Sequence, residues 1–293
     1  MREDGHVLVI GAAGLDMKAC PYAAPLLEGT SNPGRIRNSV GGVARNIAEN
    51  LARLEVPTVL LSAVGDDAPG RRVLQQAEES GIDVSHVLVV EGARTGEWMG
   101  LMRPDGELHL AVDDYEVMKH LTPQYFNRRR KLFADARMVV IDANPSPKAM
   151  QSVFRLAEQY GLHVCADSTS ANLAGRLCDY LNRLYMITPN VQETTALCGI
   201  TVNVSDRGSA LTAAKLLVSM GVEIAVVTLG PTGLVYADSA SSGYISALRT
   251  EVIDSTGAGD AFSAGVIFGL LNGVPLDEAM RLGVSAASLT LRS

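Results

Sequence analysis

Apolar positions along this chain fall into short continuous runs separated by longer amphipathic stretches. Val7 to Gly11 is entirely apolar or small, which predicts a strand buried on both faces. The same pattern predicts strands at Thr58 to Ala63, Met138 to Asp142, His163 to Asp167, Tyr185 to Thr188 and Ile224 to Thr228. Helix-like segments lie between them at Val43 to Leu54, Gly70 to Ser80, Pro147 to Tyr160, Gln192 to Cys198 and Ser209 to Met220. Strand alternating with helix predicts a mostly parallel central sheet covered on both faces, a three-layer αβα arrangement. Ligands of such sheets gather beyond the carboxyl ends of the strands.

Two stretches break the alternation. Met17 to Ser39 is rich in Pro and Gly and has no helical period. Thr95 to Asp114 carries strand-like segments around Pro104-Asp105-Gly106, a hairpin signal. Both sit between elements of the main sheet, so residues of about 15–39 and 93–115 are expected to form a small β lid. The rest of 1–293 then forms one large α/β domain. No internal repeat is present. Arg128-Arg129-Arg130-Lys131 reads as a solvated helix face.

Composition narrows the partners. With 25 Lys and Arg against 32 Asp and Glu, the net charge of −7 disfavours a nucleic-acid backbone or an anionic membrane as partner. The apolar stretch Ala261 to Leu271 is too short to span a bilayer and reads as a buried helix. Four cysteines without CxxC spacing predict reduced thiols and a cytoplasmic protein, not a zinc site.

The stretch Asp254-Ser255-Thr256-Gly257-Ala258-Gly259-Asp260 precedes that buried helix. Gly257 and Gly259 let the backbone turn so that unpaired amides at the helix start attract an anion. Asp260 stands beside this anion hole, placed to take a proton from an attacking hydroxyl while the amides of Gly257, Ala258 and Gly259 hold a transferring phosphoryl group. The plain alternative is a Gly-rich turn with Asp260 as a helix cap.

This string resembles the C-terminal signature of the PfkB, or ribokinase-like, carbohydrate kinases. Gly41-Gly42-Val43-Ala44-Arg45-Asn46 resembles the family's N-terminal GGxxxN signature, and Val64-Gly65-Asp66-Asp67 with Gly70 its following strand and loop. Asn190-Val191-Gln192-Glu193 resembles its NxxE motif, and Thr228-Leu229-Gly230-Pro231-Thr232-Gly233 its nucleotide loop. The motifs run in the family's order over nearly the whole chain. The resemblance implies a ribokinase-like fold, ATP as phosphoryl donor, Mg²⁺ and, in some members, K⁺. It places the nucleotide against Asn190, Thr228, Gly230, Gly233 and Thr256, and Mg²⁺ near Glu193.

Each residue also has its own physical reading. Gly41 and Gly42 permit close approach to a ligand. Asn46 either reaches a substrate hydroxyl or caps a helix start. Asp16 either accepts two ribose hydroxyl protons or caps a turn. Glu193 either orients water around Mg²⁺ or is a first-turn carboxylate favoured by the helix dipole. The segments Asp16-Met17-Lys18, Thr30 to Gly34, and Ser39 with Gly41 to Leu51 resemble the members that phosphorylate pseudouridine at its 5′-hydroxyl, with Val40 departing where that pattern has Pro. A lid carrying Lys18, Ser31 and Asn32 offers partners for the edges of a uracil base. The same three residues also suit turns and a surface amine. Other nucleosides, ribose, or a sensor without turnover remain open as alternatives. Exposed lid edges predict a homodimer joined through the lids.

Overall fold

The computed structural model describes residues 5–103 and 108–292. Strand β1 (His6–Ile10) enters the main sheet and hands over to β2 (Gly14–Pro21) and β3 (Gly34–Gly41). Helix α1 (Val43–Arg53), β4 (Thr58–Leu61), β5 (Ala63–Gly65), α2 (Ala68–Glu79) and β6 (Leu88–Val90) follow. Strands β7 (Gly96–Met102) and β8 (Leu108–Asp114) precede the short helices α3 (Pro123–Arg128) and α4 (Arg130–Ala134). The chain then alternates through β9 (Ala136–Asp142), α5 (Pro147–Gln159), β10 (Val164–Asp167), α6 (Ala171–Ala174), β11 (Met186–Ile187) and α7 (Val191–Cys198). It closes with α8 (Arg207–Ser219), β12 (Ile224–Thr228), β13 (Leu234–Ala237), β14 (Ser242–Ile245), α9 (Ala258–Leu271) and α10 (Leu276–Thr290).

The main sheet has the order β14-β13-β12-β11-β10-β9-β1-β4. Its strands from β4 to β12 are parallel, and β13 and β14 add an antiparallel edge. Side chains alternate across a strand, so each strand feeds two cores. Val7 and Val9 join α1, α9 and α10 on one face, whereas Leu8 and Ile10 join α5, α7 and α8 on the other. The expected three-layer α/β architecture is therefore present. The predicted strand Thr58 to Ala63 stops at Leu61, and Ala63–Gly65 pairs with β6 in a separate two-stranded sheet. The predicted Tyr185 to Thr188 shrinks to Met186–Ile187. Arg128 to Lys131 spans the α3–α4 junction, and Arg129 lies over the Tyr125 ring at 3.8 Å, so one of its four cations packs on an aromatic face.

A second, four-stranded sheet runs β3-β2-β7-β8. It is drawn from the two segments that break the alternation. The hairpin signal at Pro104-Asp105-Gly106 lies outside the described residues. Asp67, the N-cap of α2, ties this sheet to the body: its carboxylate accepts from Gly70 N and from both the amide and hydroxyl of Thr95, one residue before β7. Cross-strand pairing puts Asp16, Lys18, Ser39 and Trp98 on one face. The opposite face carries Ile36, Met99, Leu110 and Val112, all at least half exposed. Among the described residues all four cysteines are free, and no helix is long and apolar enough to cross a membrane.

Candidate active site

The site is built where α9 begins. The Ile253 and Asp254 amides both point at Leu291 O, and Asp254 Oδ1 accepts from Thr256 N at 2.9 Å. Gly257 then takes a left-handed conformation, φ 79°, as the N-cap of α9 without a side-chain cap. That turn strains any residue with a Cβ. A Cβ on Gly259 would meet nothing within 4 Å, so the helix start opens onto free space. Among the described residues the Gly259 and Asp260 amides have no acceptor. The body of α9 after Asp260 is almost wholly buried, but its start is open, with Gly259 exposed and Gly257 and Ala258 half-buried, so the positive end of the helix is accessible to an anion.

Asp260 is 9% exposed and lies in the first turn of α9, not at its cap. Its Oδ2 accepts from Asn46 Nδ2 at 2.8 Å. Asn46 lies one turn into α1, whose N-cap is Gly42, so Asn46 is no helix cap. Gly42 has φ 96°, and a Cβ there would stand 2.5 Å from Ala12 O. A Cβ on Gly41 would stand 2.3 Å from the Asp16 carboxyl carbon. The glycine pair is therefore required by packing, and it brings Asp16 against the start of α1. Asp16 is 8% exposed inside β2, paired with Ser39 and Trp98, which removes the turn-cap alternative.

A cavity of about 310 Å³ is walled by Asp16, Lys18, Asn46, Thr256 and Gly257, among others. Asp260 is not itself in that wall but bonds Asn46, which is. Lys18 forms an ion pair with Asp254 Oδ2, so the second sheet is tethered to the turn that precedes the helix start. Ser31 and Asn32 are not brought here. Both are exposed in the β2–β3 loop, and the Asn32 side chain closes that loop by bonding Leu27 N, Leu27 O and Thr30 O. Asn32 therefore forms the turn, its amide being spent locally, and Ser31 lies exposed outside the cavity wall.

The remaining predicted residues lie at the carboxyl edge of the sheet, outside that wall. Thr228 ends β12 and bridges to Asn190. Gly230 and Gly233 have φ 56° and 108°, and a Cβ on Gly233 would stand 2.0 Å from Ile245 O. Asn190 and Glu193 form a reciprocal capping box at the start of α7: Asn190 Oδ1 accepts from Gln192 N and Glu193 N, and Glu193 accepts from Asn190 N and Nδ2 and from Ser168 Oγ. Thr188 and Ser263 share a hydroxyl contact at 2.9 Å that joins this edge to α9.

Carboxylates dominate the electrostatics. Burial pushes Asp260 up to about 7, opposed by the Asn46 bond and reinforced by Asp16, Asp142 and Glu193. Burial also raises Asp16 to about 6, against the pull of Lys18 and Arg45. Asp167 is pushed well up by burial and then by Glu193 and Asp260. This crowding of negative charge suits a divalent cation. Among the described residues no three His, Cys, Asp or Glu side chains converge as direct ligands, and three hydrogen bonds already occupy Glu193. The donor set therefore fits Mg²⁺ held through water and phosphate better than a cage of protein ligands.

Several residues escaped the sequence reading. Asp142 ends β9 and accepts from Ala12 N and Ala44 N, pinning the β1–β2 connection to the first turn of α1. Asp167 ends β10 in the same way. The signal was an Asp closing each predicted buried strand. Arg45 and Asp254, read only as parts of motifs, each touch a predicted residue. A further cavity of about 550 Å³ lies between Leu248 to Glu251 and the end of α10, beyond the Leu291 link.

Residues 4–293 match the pfkB family of carbohydrate kinases, and the chain belongs to that family. It is 34% identical to the pseudouridine kinase of Escherichia coli (strain K12), over 99% of this chain and 92% of that one. It is 29% identical to the guanosine-inosine kinase of Exiguobacterium acetylicum, over 98% and 94%. In fold it matches Arabidopsis thaliana ribokinase complexed with ribose and ATP, with a TM-score of 0.85 at 21% identity, over 99% and 93%.

Proposed function

We propose that this kinase transfers the γ-phosphoryl group of ATP to the 5′-hydroxyl of pseudouridine. The observation that carries the reading is Asp260, a buried carboxylate beside amides that have no acceptor, joined through Asn46 to a cavity large enough for a nucleoside. Asp16, Asn46 and the Gly41-Gly42 backbone meet the ribose hydroxyls, and Lys18 is the lid residue within reach of the base. Asp260 takes the 5′-hydroxyl proton as the oxygen attacks phosphorus. The Gly257 and Gly259 amides, joined by Ala258 once it gives up its 3.4 Å bond to Ser255 O, hold the phosphoryl oxygens where negative charge accumulates. The nucleotide lies along Thr228, Gly230 and Gly233 toward Asn190 and Thr256. Mg²⁺ neutralises the phosphates when bound, with Glu193 and Asp167 holding its water shell. The second sheet acts as a lid that excludes water, and the protein works in the cytoplasm.

The identity to a pseudouridine kinase supports this acceptor. The position of Ser31 and Asn32 outside the cavity favours a second reading, in which ribose or another nucleoside is the acceptor. Coupled ADP release with pseudouridine, uridine, guanosine, inosine, adenosine and ribose decides between them. Pseudouridine should show the highest kcat/KM, and a clear preference for another acceptor would overturn the assignment. ADP release with none of them would favour a sensor.

The outer lid face supports a homodimer. Met99 pairs with Val112, Leu101 with Leu110 and Ala19 with Ile36, making one apolar sheet face. Two such faces pack against each other, burying surface that a monomer leaves in water.

A further inference from the structure

Arg45 carries a charge at a position only 6% exposed, one residue before Asn46. Its Nη1 reaches Glu49 Oε2 at 2.6 Å and donates to Asn46 Oδ1 at 3.1 Å, while its Nε has no partner among the described residues. Burying a guanidinium is costly unless nearby charge offsets it. Here burial lowers the Arg45 pKa, and Glu49, Asp16 and Asp260 raise it.

The chemistry of the pair settles the orientation of the amide between them. A guanidinium can only donate, so Asn46 must turn its oxygen toward Arg45 and its NH₂ toward Asp260. A carboxyl facing an NH₂ is favoured in its ionised form, as acceptor. Were the amide free to turn over, its oxygen would face Asp260 and favour the protonated acid, as donor. The Arg45 charge itself also favours the ionised form, whereas the other charged groups facing Asp260 oppose it: Asp16 on β2, Asp142 ending β9, Asp167 ending β10 and Glu193 on α7. Tyr115, whose phenol lies near Asp16 and Asp142, adds no positive charge.

We infer that Arg45 is a positioning residue, which locks the Asn46 amide in one orientation and so keeps Asp260 ionised and ready to accept a proton. The inference rests on the reading of Asp260 as the base, but its test needs no turnover.

Carbon-13 carboxyl NMR of aspartate-labelled protein, with the Asp260 resonance assigned from D260N, reads the titration directly. In R45M the Asp260 midpoint should rise by about one pH unit, a tenfold change in the protonation equilibrium. R45Q should rise by more than its lost charge alone gives, a contribution that R45Q in an N46A background measures, because a glutamine amide can accept as well as donate and no longer dictates the Asn46 orientation. R45K, whose ammonium only donates, should stay near the parent. If R45M does not fold, R45Q against R45K decides. An unchanged midpoint in R45Q, a rise no larger than R45Q causes in the N46A background, or equal rises in R45Q and R45K, would overturn the inference. The expected midpoints in a protein that phosphorylates nothing would uphold it while sinking the proposed activity.

Discussion

Replacing Asp260 by Asn should cripple the enzyme and stabilise the fold at once. The amide has nearly the shape of the carboxyl, and its oxygen can still accept from Asn46, so packing is kept. The proposed base is lost, and removal of a general base costs about 10²–10⁴ in rate, or about 3–5 kcal/mol of barrier. Stability moves the other way. Burial lifts Asp260 from 3.8 to about 7, so the folded state holds this proton more tightly than the unfolded chain does. Stability from this group is complete below pH 4 and is lost as pH rises toward 7. Roughly three pH units at 1.36 kcal/mol each make the ionised carboxylate cost on the order of 4 kcal/mol at pH 8. D260N removes that cost. Thermal melts should show the mutant more stable than the parent at pH 8 and level with it near pH 4, while coupled ADP release at pH 8 falls at least a hundredfold. The parent's kcat should decline as pH drops below about 7. A mutant with near-parental turnover, or one less stable at pH 8, would refute the reasoning.

Gly41→Ala places a methyl group 2.3 Å from the Asp16 carboxyl carbon, so Asp16 must move. KM for the acceptor should rise at least tenfold with a smaller change in kcat, and overpacking should cost about 1–3 kcal/mol of stability by denaturant melt. Lys18→Met leaves Asp254 without its ion-pair partner at the turn before α9. Acceptor KM should increase, and the double variant K18D/D254K should recover part of the loss; no recovery would mean the bridge is incidental. Val112→Glu puts a charge on the apolar face of the second sheet; sedimentation velocity should show the proposed dimer for the parent and a monomer for the variant.

The core of the fold was legible because its strands are continuous apolar runs and its helices carry a clear period, as with Val7 to Gly11 and Pro147 to Tyr160. The β13–β14 edge was not, since Leu234 to Ala237 follows a glycine loop and its partner strand is short and half polar. Helix α10 has no N-terminal cap side chain to announce it. At the site, glycines and the two aspartates stood out because their chemistry is local. Asn32 misled because its partner, the Leu27 backbone, is chosen by closure of a loop that no periodicity describes. Glu193 was ambiguous for a physical reason, since a capping box and a polar site at a helix start use the same residues. Arg45 was hidden because its importance depends on which way an amide points, a property of three dimensions.

Asn46 and Asp260 are separated by 214 positions along the chain. At about 5–20 residues per second, a ribosome delivers the second some 10–40 s after the first. A growing polypeptide can thus shape much of the cleft that receives the sugar while it still lacks the group that would use it. The proposed base arrives only with about the last ninth of synthesis, and its bond to Asn46 doubles as a sign that distant parts of the molecule have found each other.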